Sequence, residues 1–277
     1  MDKLFDKLPR IKTKISKKSM IFIGLDYDGT LTPIVEHPDL ALLPKDTRLI
    51  LRELSNMKNA MISIVSGRSY KDIRKKVGIK KIIYVGNHGF EMKISNFTRK
   101  GKFPDFIKDP KKYKEKIEEI CRNLERGLKE LKGVWVENKG ITASVHYRLA
   151  KTSNVQKAKT KVFSEIKTYD GLKLAFGKKV WQIKPKKNWN KGEAIRCILE
   201  RNLSENWRKK ASLIYMGDDR TDEDVFSLLK QGGITILVSK NPKIESRARY
   251  SIENHKNVLR FLVWLRDVWE EKIANSQ

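Results

Sequence analysis

Asp26 and Asp28 stand one residue apart in "DYDGTLT", directly after the apolar run "MIFIGL". Two carboxylates that close repel each other unless a cation compensates them. A second acidic group, Asp218, Asp219 and Asp222 in "GDDRTDED", follows another apolar run, "SLIYM". Each cluster alone has a plain structural explanation. Asp-Gly is turn sequence, and acidic residues are favoured at helix N-termini by the backbone dipole. Placed together at the ends of two strands of one sheet, they form an all-oxygen donor set. Such a set suits a hard cation, and Mg²⁺ binds through one or two carboxylates, retained waters and phosphate oxygens. A magnesium site is the expectation.

The elements that must position these residues are legible as apolar runs that end abruptly in polar sequence. "IFIGL" precedes Asp26, "MISIV" precedes Ser66, "IIYV" precedes "GNHG", "SLIYM" precedes "GDD" and "ITILV" precedes Ser239. Continuous runs bounded in this way suit parallel strands buried on both faces. Helical patterns lie between them. "DTRLILRELSNM" opens with Asp46 as N-cap, "KGEAIRCILERNL" repeats apolar residues at three and four, and "DEDVFSLLKQGG" ends in a glycine cap. The alternation predicts a doubly wound α/β core with a parallel, Rossmann-like sheet, whose ligands bind beyond the carboxyl ends of the strands.

Residues 97–184 have another rhythm. A helix over "DPKKYKEKIEEICRNLERGLKEL", with Asp109 as N-cap and Pro110 in its first turn, leads to the hairpin "VWVEN"–"ITASVHY". A second helix, "SNVQKAKTKVFSEIKTY", leads to the hairpin "LKLAF"–"VWQIK". This α-β-β-α-β-β pattern predicts an α+β cap, or lid, inserted into a discontinuous core made of 1–96 and 185–277.

Composition narrows the class. Of 277 residues, 60 are Lys or Arg and 33 are Asp or Glu, a formal charge of +27. That charge would suit a polyanion, but the basic residues are spread over every segment and no zinc-finger or RNP signature accompanies them. A lysine-rich surface is expected, and no nucleic-acid partner. No segment approaches the roughly 18 apolar residues of a membrane span, and the basic N-terminus lacks the apolar core of a signal peptide. Cys121 and Cys197 sit in helical patterns among aliphatic neighbours, as buried thiols do. A cytoplasmic protein is the reading.

"DYDGTLT", "SGR" at 66–68, "NKGEAI" at 190–195 and "GDDRTDED" at 217–224 resemble the four ordered motifs of the haloacid dehalogenase superfamily of phosphotransferases. The finer pattern, "SGR…YVGNHGFE…ASVHYR…KPKKNWNKG…GDDRTDEDVF", resembles the trehalose-6-phosphate phosphatases. That resemblance implies hydrolysis of a phosphorylated sugar with Mg²⁺, Asp26 as nucleophile and Asp28 as general acid and base. Asp26, Asp218 and the backbone carbonyl of Asp28 would hold the metal, with Asp219 and Asp222 behind them. Ser66 and Thr30 would hydrogen-bond the phosphoryl oxygens, and Lys191 would pair with Asp26 and the phosphate. Gly67, Asn87, His88 and Glu91 would meet the substrate in the core, Arg68 would either hold substrate oxygens or cap the next helix, and Arg148, with His146 on the same strand face, would meet the substrate in the cap.

One departure bears on the sugar. Members of the family often carry glutamate in an E-V-R-P stretch where this chain has "WQIKP", with Gln182 in its place. The uncharged amide leaves sucrose phosphate and mannosyl-3-phosphoglycerate open as alternatives to trehalose 6-phosphate. A regulatory or scaffolding subunit on the same fold, in association with a sugar-phosphate synthase, is a further alternative, and the oligomeric state is left open.

Overall fold

Strands whose every residue is apolar or small find room only in a sheet covered on both faces, and the central strands of this chain are of that kind. The computed structural model describes residues 1–93, 103–241 and 244–275. By its internal contacts the chain divides into two units, Met1–Gly101 with Trp189–Gln277, and Lys102–Asn188. The boundary expected at 96–97 lies outside the described residues.

In chain order, the first unit begins with β1 (Asp2–Lys3), α1 (Leu8–Ser16), β2 (Met20–Leu25), α2 (Lys45–Asn56) and β3 (Ala60–Val65). It continues through α3 (Tyr70–Val77), β4 (Ile83–Gly86) and β5 (Glu91–Met92). The second unit holds α4 (Asp105–Lys108), α5 (Lys111–Leu128), β6 (Trp135–Asn138), β7 (Ala143–His146), α6 (Thr152–Lys167), β8 (Leu172–Gly177) and β9 (Val180–Pro185). The chain then returns to the first unit with α7 (Lys191–Leu203), α8 (Trp207–Lys210), β10 (Ala211–Gly217), α9 (Glu223–Leu228), β11 (Ile234–Val238), β12 (Tyr250–Ile252) and α10 (His255–Ala274).

The sheet of the first unit runs β1-β12-β11-β10-β2-β3-β4-β5. Every pairing is parallel except the antiparallel edge pair of β4 with β5. All residues of β10 and β11 are buried, as a sheet covered on both faces requires. From β2 the chain builds outward through β3 and β4 on one side, and later from β10 through β11 and β12 on the other. The carboxyl ends of β2 and β10 therefore flank the point where strand order reverses, where open α/β sheets place their ligands.

Much of the packing comes from α10, whose Asn254 side chain accepts from the Lys256 and Asn257 amides at its N-terminus. Its Trp269 is 1% exposed and donates through Nε1 to the Lys58 carbonyl at 3.0 Å. The second unit is a four-stranded antiparallel sheet, β6-β7-β9-β8. One face, with Val145, Trp181 and Ile183, packs on Ile117, Ile120 and Leu124 of α5 and on Ala158 and Val162 of α6. On β9, Gln182 and Lys184 alternate with these buried residues, as the period of two requires.

Three helix ends differ from expectation. Pro44, with its fixed φ, caps α2, and Asp46 lies inside the first turn. Asp109 ends α4 and Pro110 precedes α5, although an Asp109 carboxylate oxygen still accepts from the Lys111 amide at 3.2 Å. The last helix of "GDDRTDEDVFSLLKQGG" stops at Leu228, several residues before Gly232 and Gly233. Cys121 is buried and Cys197 half-buried, both as free thiols that burial pushes up, to about 12 and about 11.

Trp269→Ala removes a buried indole and its hydrogen bond, and is expected to cost about 3–5 kcal/mol in chemical denaturation. In the second unit, burial would raise the Glu137 carboxyl. The hydrogen bond from His146 and the charge of Lys139 outweigh that and hold it at about 2. A carboxyl depressed on folding stabilises above its unfolded value and loses that contribution as pH falls toward 2. Glu137→Gln is therefore expected to flatten acid unfolding below about pH 4.5, read by denaturant midpoints across that window.

Candidate active site

The site grows from the ends of β2, β3 and β10 and the start of α7. Asp26 follows β2 directly, and its amide donates to the Met216 carbonyl of β10 at 2.9 Å. The register pairs Leu25 with Met216, so the two acidic segments leave the sheet side by side. Gly29 adopts φ +82°, and a Cβ there would stand 2.4 Å from Asp218 Oδ2. Only glycine gives both that turn and that approach. One carboxylate oxygen from each of Asp26, Asp218 and Asp222 lies within 4.8 Å of the others.

Lys191 opens α7, where Asn190 caps the helix by accepting from the Glu193 amide at 2.9 Å. Its ammonium, 2% exposed, donates to Asp26 Oδ1 at 2.8 Å and to Asp222 Oδ1 at 2.9 Å. Asp222 is wholly buried. Its Oδ1 also accepts from the Tyr215 hydroxyl at 2.7 Å, and its Oδ2 from the Asp218 and Asp219 amides, both at 3.0 Å. With four donors on two oxygens, Asp222 acts as the anchor that holds Lys191 and the Asp218 turn. Asp218, half-buried and next to Asp26, is the carboxylate better placed to share a cation with it.

The electrostatics of the cluster ask for such a cation. Burial raises Asp26 well above the usual carboxylate range; Lys191 opposes the shift, and Asp222, Asp218 and Asp219 add to it. Burial likewise pushes Asp222 up to about 6 against the pull of Lys191. Asp219 resists its own burial because of Lys191 and its hydrogen bonds with Thr221, and stays well below the usual range. Burial works against the Lys191 ammonium, but Asp222 and Asp26 keep it charged. The buried ammonium of Lys191 bonds two of the four acidic groups, Asp26 and Asp222. The all-oxygen set of Asp26, Asp218 and Asp222 fits Mg²⁺ in donor type.

The residues expected to meet the phosphate lie in the loops that follow β2 and β3. Thr30 Oγ1 is buried with no hydrogen-bond partner among the described residues. Ser66 follows β3, is fully buried, and accepts from the Arg68 amide at 3.1 Å, which leaves its own proton to donate. His88 lies over Gly67, where a Cβ would stand 2.5 Å from its Nε2. Asn87 and His88 both hold positive φ, 50° and 53°. Their amides donate to the Arg68 and Ser66 carbonyls, which lock this unusual backbone against the Ser66 loop.

Other residues singled out in the sequence have different surroundings. Glu91 Oε2 accepts from the Tyr70 amide at 2.7 Å and from Asn87 Nδ2 at 2.8 Å, so these two side chains brace the loop. The Asp28 carboxylate stands outside the Asp26–Asp218–Asp222 cluster, with both oxygens on the Arg68 guanidinium. Arg148 lies past the end of β7 and donates to the Lys178 carbonyl at 3.0 Å. It does not share a strand face with His146, which bonds Glu137 at 2.7 Å and stacks on Trp135. Tyr215 and Asp72 are the additions from structure. Tyr215 reads as one more apolar residue of a buried strand, and Asp72 as an ordinary first-turn acid of α3.

Comparison with known proteins agrees with this geometry. The trehalose-phosphatase family model matches residues 24–256. Trehalose-phosphate phosphatase B of Arabidopsis thaliana is 33% identical over 279 residues, 99% of this chain and 72% of that protein. The probable trehalose-phosphate phosphatase G of the same plant is 34% identical over 264 residues, 89% of this chain and 69% of that protein. Those names denote phosphoric monoester hydrolases. In fold, the C-terminal domain of Candida albicans trehalose-6-phosphate phosphatase superposes with a TM-score of 0.76 at 23% identity, over 94% of this chain and 97% of that one. The C-terminal domain of a Candida albicans trehalose synthase regulatory protein shares the fold at a TM-score of 0.68 and 15% identity, over 92% and 97%. Matched along nearly its whole length in sequence and fold, the chain belongs to the trehalose-phosphatase family.

Proposed function

We propose that this protein is a Mg²⁺-dependent phosphatase that hydrolyses trehalose 6-phosphate to trehalose and phosphate through an aspartyl-phosphate on Asp26. The observation that carries the reading is the meeting of Asp26, Asp218 and the buried Lys191 at the ends of β2 and β10. The names of relatives at about one-third identity supply the substrate.

In the first half-reaction an Asp26 carboxylate oxygen forms a bond to phosphorus. The bond from phosphorus to the sugar oxygen breaks, and that oxygen takes a proton from Asp28. In the second half, water bonds to phosphorus as the Asp26–phosphorus bond breaks, and the proton of the water passes to Asp28. Lys191 holds one oxygen of Asp26 and offsets part of the charge gathered there. Ser66 and Thr30 supply hydroxyl donors for the phosphoryl oxygens, and the unpartnered Thr30 hydroxyl supports that role. Asp26 and Asp218 would hold Mg²⁺, which supplies charge neutralisation between the nucleophile and the phosphate oxygens.

Gln182 favours keeping a second substrate reading. It stands among the polar positions of β9, where an amide offers a donor as well as an acceptor. Sucrose phosphate or a mannosyl-3-phosphoglycerate type of substrate is the alternative.

A phosphate-release screen over phosphorylated mono- and disaccharides decides between these, and the highest kcat/KM is expected for trehalose 6-phosphate. No release from any sugar phosphate with Mg²⁺ present would overturn the enzyme reading. Asp26→Asn is expected to lower kcat on the order of 10³-fold or more while keeping the thermal transition. Chelation with EDTA should abolish turnover, and added Mg²⁺ should restore it. Lys191→Met leaves Asp26 and Asp222 buried without their cation, and is expected to cost about 3–5 kcal/mol of stability besides activity.

A further inference from the structure

Arg68, expected to hold substrate oxygens or to cap the next helix, has surroundings that give it other work. Its guanidinium meets Asp28 side-on, with Nε donating to Oδ2 at 2.8 Å and Nη2 to Oδ1 at 2.7 Å. That fork occupies both oxygens of the carboxylate and so fixes its plane as well as its place. Arg68 is itself held from three other sides. Nη1 donates to Asp72 Oδ2 at 2.8 Å, Nη2 donates also to the Pro38 carbonyl at 2.7 Å, and the guanidinium lies 5.4 Å from the centre of the Tyr27 ring. The Arg68 side chain is 7% exposed and that of Asp28 is 43% exposed. The rigid partner is the arginine, and the partner open to a reacting group is the aspartate.

We propose that Arg68 is a positioning residue that sets the Asp28 carboxyl group for proton transfer and does not itself bind the substrate. The inference rests on the proposed phosphatase reading, in which Asp28 protonates the leaving oxygen. A guanidinium with its donors on Asp28, Asp72 and Pro38 has little left to offer a sugar or a phosphate. The carboxyl group it places must reach the departing alcohol within hydrogen-bond distance, and small errors of placement are costly in such a step. Asp72 and the Pro38 carbonyl act one contact further out, by keeping the fork in register.

The dependence on the leaving group tests this. A sugar alkoxide leaves poorly without a proton, whereas p-nitrophenolate leaves without one, so only the first needs Asp28 in the opening half-reaction. First-turnover rates of alcohol release are measured for wild type, Arg68→Ala, Arg68→Lys and Asp72→Asn, with trehalose 6-phosphate and with p-nitrophenyl phosphate. Arg68→Ala is expected to slow sugar release on the order of 10²-fold, and nitrophenolate release less than about tenfold, with half-saturating substrate concentrations within about twofold of wild type. Arg68→Lys keeps the charge but loses the fork, and should shift in the same direction. So should Asp72→Asn, by a smaller factor, and this variant leaves the buried arginine in place should Arg68→Ala fail to fold. In an Asp28→Asn background, Arg68→Lys should slow sugar release no further, because its effect passes through Asp28.

A rise in half-saturating concentration with unchanged first-turnover rate would make Arg68 a substrate ligand and overturn the inference alone. Equal losses on both substrates, or full additivity with Asp28→Asn, would overturn it too. A wild-type protein inert on both phosphates would remove the phosphatase reading and this inference with it.

Discussion

A buried ammonium between two carboxylates is the contact on which the site depends. Lys191, 2% exposed, lies within 3 Å of both Asp26 and Asp222, each of which is also buried. Taking three charges out of water is expensive, and their attraction offsets the cost only when every remaining hydrogen-bonding group is met. Asp222 meets that condition with four donors, from Lys191, Tyr215 and two consecutive amides of the Asp218 turn. The same carboxylate thus anchors the cation that restrains Asp26 and the backbone that presents Asp218. A fault at Asp222 would disturb both sides of the site.

Positioning then follows from strand register. Parallel pairing of β2 with β10 and with β3 brings Asp26, the Asp218 turn and Ser66 to one edge of the sheet. Loops at that edge are stiffened by contacts specific to them. Asn87 and His88 sit in left-handed backbone held by the Arg68 and Ser66 carbonyls, and Glu91 ties Asn87 to the start of α3. Asp28 is oriented by an arginine that is fixed from three other directions. Burial and acidic neighbours raise Asp26 against the pull of Lys191, and the all-oxygen cluster it forms with Asp218 and Asp222 suits a divalent cation.

The sheet was legible because its strands are apolar on both faces. "IFIGL", "MISIV", "SLIYM" and "ITILV" needed no alternation to be recognised, and each ends where a polar loop begins. The two hairpins of the second unit were legible for another reason, paired short strands around short turns, with alternation clearest in "ITASVHY" and in the burial of β9. Helix ends were less so, since Pro44 displaced Asp46 at one start and the helix after Asp222 frayed into turns before its glycines. In the site, the acidic pairs and Lys191 stood out by type and placement. The partners that fix them did not. Nothing in "SLIYM" marks Tyr215 as the fourth donor to Asp222, and nothing in "SGR" shows that the arginine turns to Asp28 and not to a ligand. Those are side-chain contacts across 7 and 40 residues, set by packing that a local pattern does not encode.

Asp26 is the proposed nucleophile of this arrangement. Acid quenching of the protein during turnover of a labelled phosphomonoester, followed by peptide mass spectrometry, is the test. A phosphoryl group is expected on Asp26, present with Mg²⁺ and absent after chelation. Turnover that leaves Asp26 unmodified, or a phosphoryl group trapped on another side chain, would contradict it.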